Sequence, residues 1–427
     1  MLKNIKLLLI DKLGIGIIWN VGSLAILALG GIIINLVILK LRGAGALGIF
    51  NQVYAIYIVL SQIGVGGVQF SVLQQISYNQ NDLGKCANIT SSALLIVALI
   101  TIIMGAVGWL IAEPIGILMD SPGVGFGLQL VMPGLLFFSL NKVLINVING
   151  LAHMRAYAVF RSVRFILIPL LIFVIIGIKL PNPYIVLSLT IPEILLFIGL
   201  CVYINSRMFT LWGTSERWTW LKKHISFGVR GAGSGILIEF STRVDVLMLG
   251  IFTSDEIVGI YSFVSTLAEG FAQIPLAVRW NIDPLIGQYF SKQEINKIEE
   301  LAKKIRRQFF PLMGAACLVA IFGYPLFYNL WVGDNTMMTS WITFAIIMVG
   351  VMINGGYRPF TGILLQGGKP GTYTLFYVFL VLGAALLNLV FITTYGIYGA
   401  AAVTSFTYFM EALILVILSR KLFGVRL

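Results

Sequence analysis

Long apolar runs recur along the whole chain, and they constrain its fold more than any other feature. Of its 427 residues, 59% are hydrophobic and only 11% are charged. A soluble domain carries about 25% charged residues. Runs of ~18 or more apolar residues can cross about 30 Å of hydrocarbon as helices, which satisfy their own backbone polar groups. The sequence therefore predicts an all-α polytopic membrane protein.

The apolar runs predict twelve transmembrane helices, of which the fifth is short. We place them near residues 14–39, 46–72, 88–111, 126–150, 165–179, 184–204, 226–252, 257–278, 309–332, 338–365, 373–394 and 397–419. Most of the 29 Lys and Arg residues then fall in the loops of one side. The positive-inside rule makes that side cytoplasmic and places both termini there. The same bias accounts for the net charge of +12 without a nucleic-acid partner.

The two halves of the chain resemble each other. The segment ALGIFNQVYAIY (46–57) aligns with IVGIYSFVSTLA (257–268), and further on Lys142 aligns with Arg358. Each half has an even number of spans, so both halves enter the membrane from the same side. This pattern predicts two parallel six-helix lobes around a central cavity. The predicted boundaries are an N-lobe at 1–204, a linker at 205–225 and a C-lobe at 226–427.

Two predicted cytoplasmic segments have an interfacial character. The linker at 205–225 mixes tryptophan with Arg and Lys, a combination that suits the headgroup layer. Residues 292–308 place apolar side chains on one helical stripe and charges elsewhere, which predicts an amphipathic helix on the inner membrane surface. A solvated helical loop is the alternative.

Charged residues within the spans carry the strongest functional information. An ionised group in hydrocarbon costs at least about 2.5–3.5 kcal/mol, so it usually faces a cavity or a partner. Glu239 and Arg243 are four residues apart in the span 226–252 and can pair on one helix face. Asp245 points away from Arg243 and therefore needs another partner or water.

Two further basic residues suggest an anion site. Lys142 shares a helix face with Asn146 and Asn149, and Arg358 precedes Pro359, where an unwound turn is expected. The repeat would present Lys142 and Arg358 to one cavity from opposite walls. Two cations in an aqueous cleft suit a phosphate or pyrophosphate. The alternative is that both side chains snorkel to the nearby membrane boundary.

Three buried acids, Glu193, Glu269 and Glu411, are candidates for carrying a coupling proton or cation. The alternative for each is structural pairing. Two histidines without an acidic cluster predict no metal or catalytic site, and no P-loop motif is present. Active transport would therefore draw on a Na⁺ or H⁺ gradient or on a partner, with no other cofactor expected.

The motif R-x-D-x-x-x-L-G followed by V-G-x-Y, at residues 243–250 and 258–261, resembles the polysaccharide-transporter family of oligosaccharide-lipid flippases. The segments LGIF at 47–50, LQGGK at 365–369 and GIYGAA at 396–401 fit the same family. The resemblance implies the fold of the multidrug/oligosaccharidyl-lipid/polysaccharide (MOP) exporter superfamily, with two six-helix lobes around a V-shaped cavity.

The resemblance also implies a function. Such a protein moves a polyprenyl-pyrophosphate-linked glycan unit, for example of O-antigen or capsule, from the inner to the outer leaflet of a bacterial plasma membrane by alternating access. Its partners would be membrane lipids and the glycan polymerase and chain-length machinery. On this hypothesis Arg358, Lys142 and Arg243 attract the pyrophosphate, while Glu239 and Asp245 hold Arg243 or bind the coupling ion. The absence of basic residues within span one distinguishes the chain from the lipid II flippase branch.

Two other functions compete with this hypothesis. An ion-coupled multidrug exporter would share the fold and favour an acidic cavity. A membrane glycan polymerase or ligase would need a sizeable outer loop with catalytic Arg or His. The predicted outer loops are short and nearly devoid of both. We therefore expect a transporter rather than an enzyme.

Overall fold

A computed structural model describes residues 12–213 and 216–427. The start of the predicted N-lobe and residues 214–215 of the predicted linker lie outside the described residues. The described chain is helical, with two short 3₁₀ segments and no strand. The α-helices are α1 Lys12–Val65, α2 Val68–Tyr78, α3 Leu83–Leu118, α4 Pro122–Gly150, α5 Met154–Gly177, α6 Leu187–Arg207, α7 Arg217–Ser241, α8 Val244–Phe252, α9 Asp255–Ser291, α10 Ile295–Trp331, α11 Met337–Gly355, α12 Ile363–Gln366 and α13 Pro370–Phe423.

Helices α1 and α13 each contain two predicted spans joined at a glycine. Gly43 has φ 84° and Gly396 has φ 56°. Positive φ is accessible to glycine at little cost because it lacks a Cβ. These two residues break the helical path between spans one and two and between spans eleven and twelve.

Nine helices among the described residues are long and apolar enough to cross a membrane. Two of them, α1 and α13, contain two predicted spans each. Helices α7 and α8 together occupy the remaining predicted span, 226–252. The predicted all-α architecture with about twelve transmembrane helices is confirmed.

Helix α5 begins at Met154 and not near residue 165, so the predicted short fifth span was wrong. The hydropathy of its first turns is lowered by Arg155, Arg161 and Arg164. Hydropathy therefore assigns these arginines to a loop. Arg164 instead forms an ion pair with Glu193, and this pairing lowers the cost of placing its charge in a membrane-spanning helix.

The predicted continuous helix over 226–252 is interrupted. Helix α7 ends at Ser241 and α8 begins at Val244, with a turn at Thr242 and Arg243. Glu239 and Arg243 are thus on either side of a turn, and their pairing stays a prediction.

The chain divides into two compact units. The first comprises residues 1–41 and 49–239, and the second comprises 42–48 and 240–427. The boundary between the two compact units falls after Glu239. Compactness does not report where one lobe ends and the next begins, so the division predicted at 205–225 stays a prediction.

The start of α7 is anchored in the core of the first unit. Trp220 is buried in that core, and the buried His224 lies between the Ser71 hydroxyl at 2.9 Å and the Ile89 carbonyl at 3.1 Å. In contrast, Trp212 and Trp218 are 76% and 77% exposed. Two of the three linker tryptophans thus remain available to a headgroup layer, and the third has a packing role.

The apolar stripe predicted at 292–308 is covered by protein. Ile298 and Ala302 are fully buried in the core of the second unit, together with Ile286 and Leu364. The stripe is the first part of α10, which runs without interruption to Trp331. Periodicity showed that this face is buried but could not distinguish protein from lipid, and our interpretation of a lipid-facing stripe is corrected.

Two glycines that the repeat aligns pack reciprocally within the second unit. A Cβ on Gly48 would overlap the carbonyl of Asp255, and a Cβ on Gly259 would overlap the carbonyl of Ala44. Each glycine therefore contacts the backbone four residues before its counterpart. Only glycine allows backbones to approach this closely.

Candidate functional site

Lys142 in α4 is held by neutral oxygens of α1. Its Nζ donates to Ser61 Oγ at 2.9 Å and to Gln62 Oε1 at 2.6 Å. It also lies 4.7 Å from the centroid of the Phe138 ring. Glu239 is the acid with the strongest electrostatic effect on this ammonium group. Hydroxyl, amide and aromatic groups therefore surround the ammonium group of this lysine.

The two asparagines predicted to accompany Lys142 do not bond to its ammonium group. Asn146 donates to the backbone carbonyl of Lys142 at 2.8 Å, within its own helix. Asn149 lies at the end of α4 and is partly buried. Their role in substrate binding stays a prediction.

Glu193 in α6 is the centre of a closed polar network. Arg164 forms an ion pair with Oε1 through Nε and donates from Nη2 to Oε2 at 2.9 Å. Asn141 donates to the same Oε2 at 2.8 Å and to the Glu193 carbonyl at 2.9 Å. Because both carboxylate oxygens are occupied, this geometry favours structural pairing over ion coupling for Glu193.

Arg164 was not predicted to be a partner within the helices. The segment that follows it is apolar, but the two arginines that precede it, Arg155 and Arg161, make its surroundings resemble a basic loop. The useful signal was Glu193 itself. An acid within a span requires a cation on an adjacent helix, and the preceding helix offers one.

The unwound turn predicted at Arg358 is present. Helix α11 ends at Gly355, and Arg358–Phe360 form a 3₁₀ turn. The guanidinium carbon lies 5.2 Å from the centroid of the Tyr408 ring. The N–H groups of Nε and Nη1 are buried without a hydrogen-bond acceptor in the described chain. Buried donors of this kind are costly unless a ligand or water accepts from them.

Glu411 in α13 lies beside this arginine. Its Oε2 accepts a hydrogen bond from the Asn354 amide, and it is the acid that acts most strongly on Arg358. Glu269 of α9 acts electrostatically on the Tyr408 hydroxyl. The second unit therefore gathers Arg358 with two of the three acids predicted as coupling residues.

A second arginine supports the 3₁₀ turn. Arg279 donates from Nε to Asp283 at 3.2 Å and from Nη1 to Thr361 Oγ1 at 3.1 Å, and that hydroxyl donates to the Arg358 carbonyl at 2.9 Å. A Cβ on Gly362 would overlap the Asp283 carboxylate. The predicted span 257–278 ends just before Arg279, and this network was therefore not predicted.

Asp245 at the start of α8 is satisfied by hydroxyl and amide groups. Tyr261 donates to Oδ2, the Val246 N–H donates to Oδ1 at 2.9 Å, and Thr404 Oγ1 lies 2.8 Å from the Tyr261 hydroxyl. The sequence correctly required a partner for Asp245 other than the adjacent arginine. Arg243 itself precedes the first turn of α8.

The structure thus describes a basic cluster in each unit, around Lys142 and Arg164 in the first and around Arg358 and Arg279 in the second. The convergence of Lys142 and Arg358 on one cavity stays a prediction.

The family model for "Polysaccharide biosynthesis protein" matches residues 13–274, more than half of the chain. The chain belongs to this family. A relative from Haloferax volcanii, "Probable low-salt glycan biosynthesis flippase Agl15", is 28% identical over 213 residues. That match covers 46% of this chain and 43% of the relative, so it spans less than half of that protein's length.

Solved structures share the fold over nearly the whole chain. "Lipid II flippase MurJ, inward closed conformation" gives a TM-score of 0.74 at 14% identity and covers 94% of this chain and 87% of that one. An "inward-facing conformation of a multidrug resistance MATE family transporter of the MOP superfamily" gives 0.73 at 13% identity and covers 94% of both chains. At this identity the likeness establishes the fold alone.

The family and fold expectations are confirmed by these comparisons. The protein is a multi-pass membrane member of the polysaccharide biosynthesis family with the MOP-exporter fold. The names of its relatives are those of flippases and transporters, in agreement with the expectation that the chain is not an enzyme.

Proposed function

We propose that the protein flips a polyprenyl-pyrophosphate-linked oligosaccharide from the inner to the outer leaflet of a bacterial plasma membrane by alternating access. The observation that carries this proposal is Arg358, whose Nε and Nη1 donors are buried without an acceptor in the described chain. Each of these two donors can form a charge-assisted hydrogen bond to a phosphate oxygen. Membership of the polysaccharide biosynthesis family supports a glycan on that phosphate.

Lys142 would provide the second cation. A lysine ammonium has three donors, and two of those of Lys142 bond to the neutral oxygens of Ser61 and Gln62. A diphosphate would be attracted to this ammonium group. Arg243 would add to the same positive field.

The cargo we favour is the repeat unit of a surface glycan such as O-antigen or capsule. Membrane lipids would surround its polyprenyl tail, and a glycan polymerase with its chain-length machinery would receive the unit at the outer leaflet. The distribution of Lys and Arg supports a cytoplasmic location of both termini. Coupling to Na⁺ or H⁺ would involve the buried acids, among them Asp245 and Glu411.

The multidrug exporter remains the alternative, because the MATE transporter shares the fold almost as closely as the flippase does. Organic cations would require exposed carboxylates. The acids with resolved contacts are engaged by donors, Glu193 by an arginine and Asp245 by hydroxyl and amide groups. The open donors of Arg358 favour an anionic cargo.

Mass spectrometry of lipids from a deletion strain, combined with leaflet-selective labelling, tests the proposal. We expect a polyprenyl-pyrophosphate oligosaccharide to accumulate in the inner leaflet and surface glycan to be lost. Unchanged lipid intermediates in a strain without a second flippase would contradict the proposal, and an altered drug-susceptibility profile would then favour the exporter.

Complementation with point variants locates the site. Arg358→Ala should reduce flipping by about 100-fold or more, because two charge-assisted hydrogen bonds contribute roughly 3 kcal/mol or more. Arg420→Ala is the matched control, since Arg420 is exposed at the end of α13. Equal flipping by Arg358→Ala and Arg420→Ala would show that Arg358 is not part of the binding site.

A further inference from the structure

In each unit, an asparagine donates a hydrogen bond to a buried glutamate. In the first unit Asn141 of α4 donates to Glu193 of α6, and in the second unit Asn354 of α11 donates to Glu411 of α13. In both asparagines the Oδ1 atom is buried without a donor in the described chain. Within each half, the asparagine lies in predicted span four or ten and the glutamate in span six or twelve. The two pairs therefore join corresponding spans of the two halves, although the alignment of Lys142 with Arg358 does not pair the two asparagines.

The two glutamates differ in their cations. Glu193 forms a bidentate ion pair with Arg164, which uses both carboxylate oxygens. Glu411 acts on Arg358 electrostatically, yet these two described residues form no close ion pair. The guanidinium of Arg358 lies over the Tyr408 ring and also interacts with the Tyr408 hydroxyl, while Nε and Nη1 have no acceptor in the described chain. The first pair is closed, whereas the second is open to another anion.

The open pair has an electrostatic consequence. At low effective dielectric a buried cation stabilises one neighbouring anion, and a second anion nearby is left largely uncompensated. If a diphosphate binds to Arg358, the Glu411 carboxylate loses its counter-charge. Uptake of one proton from water then makes Glu411 neutral and able to keep its hydrogen bond with Asn354.

We propose that Glu411 is a displaceable counter-ion of Arg358 that takes up a proton when the anionic cargo binds and releases it when the cargo leaves. This inference rests on the proposed function, and the proton it describes compensates the charge of the cargo. Glu193, whose two carboxylate oxygens pair with Arg164, does not exchange a proton in this way.

Glu411 is faced by groups from several elements. Arg358 approaches from the 3₁₀ turn, Asn354 from α11, Tyr377 from the first half of α13 and Tyr408 from its own helix. Glu269 of α9 acts on Tyr408. Arg358 is the positive group among them, so the charge of Glu411 depends on whether Arg358 has another anionic partner.

Isothermal titration calorimetry of the full-length protein in detergent tests this inference. Inorganic pyrophosphate is titrated near pH 7 in two buffers with different ionisation enthalpies, which gives the number of protons bound per pyrophosphate. The wild type should take up about one proton more than Glu411→Gln. Glu411→Gln should bind pyrophosphate roughly 5- to 150-fold more tightly, the usual range of coupling between two ligands. Glu193→Gln, the matched control, should take up as many protons as the wild type.

A second measurement does not depend on the folding of a variant. Sulfate does not titrate near neutral pH, so any proton taken up when it binds to the wild type belongs to the protein. Uptake of about one proton with sulfate is expected. Equal proton numbers for wild type and Glu411→Gln, or no uptake with sulfate, would overturn the inference while leaving the anion site intact. Failure of the wild type to bind either anion would overturn both the inference and the proposed site.

Discussion

Replacing Glu193 by Gln should destabilise the first unit by about 3 kcal/mol. Removal of one partner from a buried ion pair typically costs roughly 3–5 kcal/mol because the other charge is left uncompensated. Arg164 is 18% exposed and its partner 3% exposed, so solvent screens little of this loss. The Phe138 ring, 4.2 Å from the guanidinium, retains part of the stabilisation. We therefore expect the lower end of the range.

For a unit of this size, each kcal/mol lowers Tm by about 2 °C, which predicts a decrease of roughly 6 °C for Glu193→Gln. Thermal unfolding of the purified protein in detergent measures it. The double variant Arg164→Met/Glu193→Gln should recover most of the loss, because the introduced glutamine would still accept from Asn141 and no unpaired charge remains in the network. An unchanged Tm in the single variant, or a double variant as unstable as the sum of the single variants, would refute the closed-network interpretation.

Three further predictions concern close backbone approaches and a buried acid. Gly362→Ala should displace the Asp283 carboxylate and destabilise the protein by about 1–3 kcal/mol, as measured by thermal unfolding. Gly48→Ala should be at least as damaging, because the added Cβ would overlap backbone, and surface glycan in a complemented deletion strain reports the loss. Gly383→Ala is the control for both, since nothing lies within 4 Å of its added Cβ. Equal losses of stability and surface glycan in all three variants would show that close packing at Gly362 and Gly48 does not matter. Tyr261→Phe should lower thermal stability by about 1–3 kcal/mol because Asp245 loses a donor, and an unchanged Tm would show that Thr404 and the backbone suffice.

Hydropathy predicted the number of spans because each span is defined by its own composition. It placed the start of the fifth helix near residue 165 because Arg164 is counted as a cost regardless of its partner. The pairing of Arg164 with Glu193 joins residues 29 positions apart, and no local window includes both. Hydropathy is therefore unreliable where two opposite charges neutralise each other between helices.

Periodicity predicted which face of α10 is buried and failed to predict what covers it. Ile298 is buried by core residues that are distant in sequence, among them Leu364 and Leu415. Lipid and protein impose the same apolar pattern on a helix face. Only the tertiary fold distinguishes them.

The candidate site was only partly predictable, because some of its contacts are local in the sequence and others are distant. The turn at Arg358 follows from local chemistry, because two glycines and a proline surround it. The role of Arg279 depends on Thr361, which is 82 residues away. Interactions of that range leave no local trace in the sequence.

The reciprocal packing of Gly48 and Gly259 has an evolutionary consequence. Each glycine contacts the residue four positions before the other, which is the arrangement of an isologous contact between identical chains. Two identical half-length chains could have dimerised through such a contact, with each chain contributing the same glycine. Gene duplication and fusion would then have turned an intermolecular contact into an intramolecular one. From that moment the two copies were free to diverge.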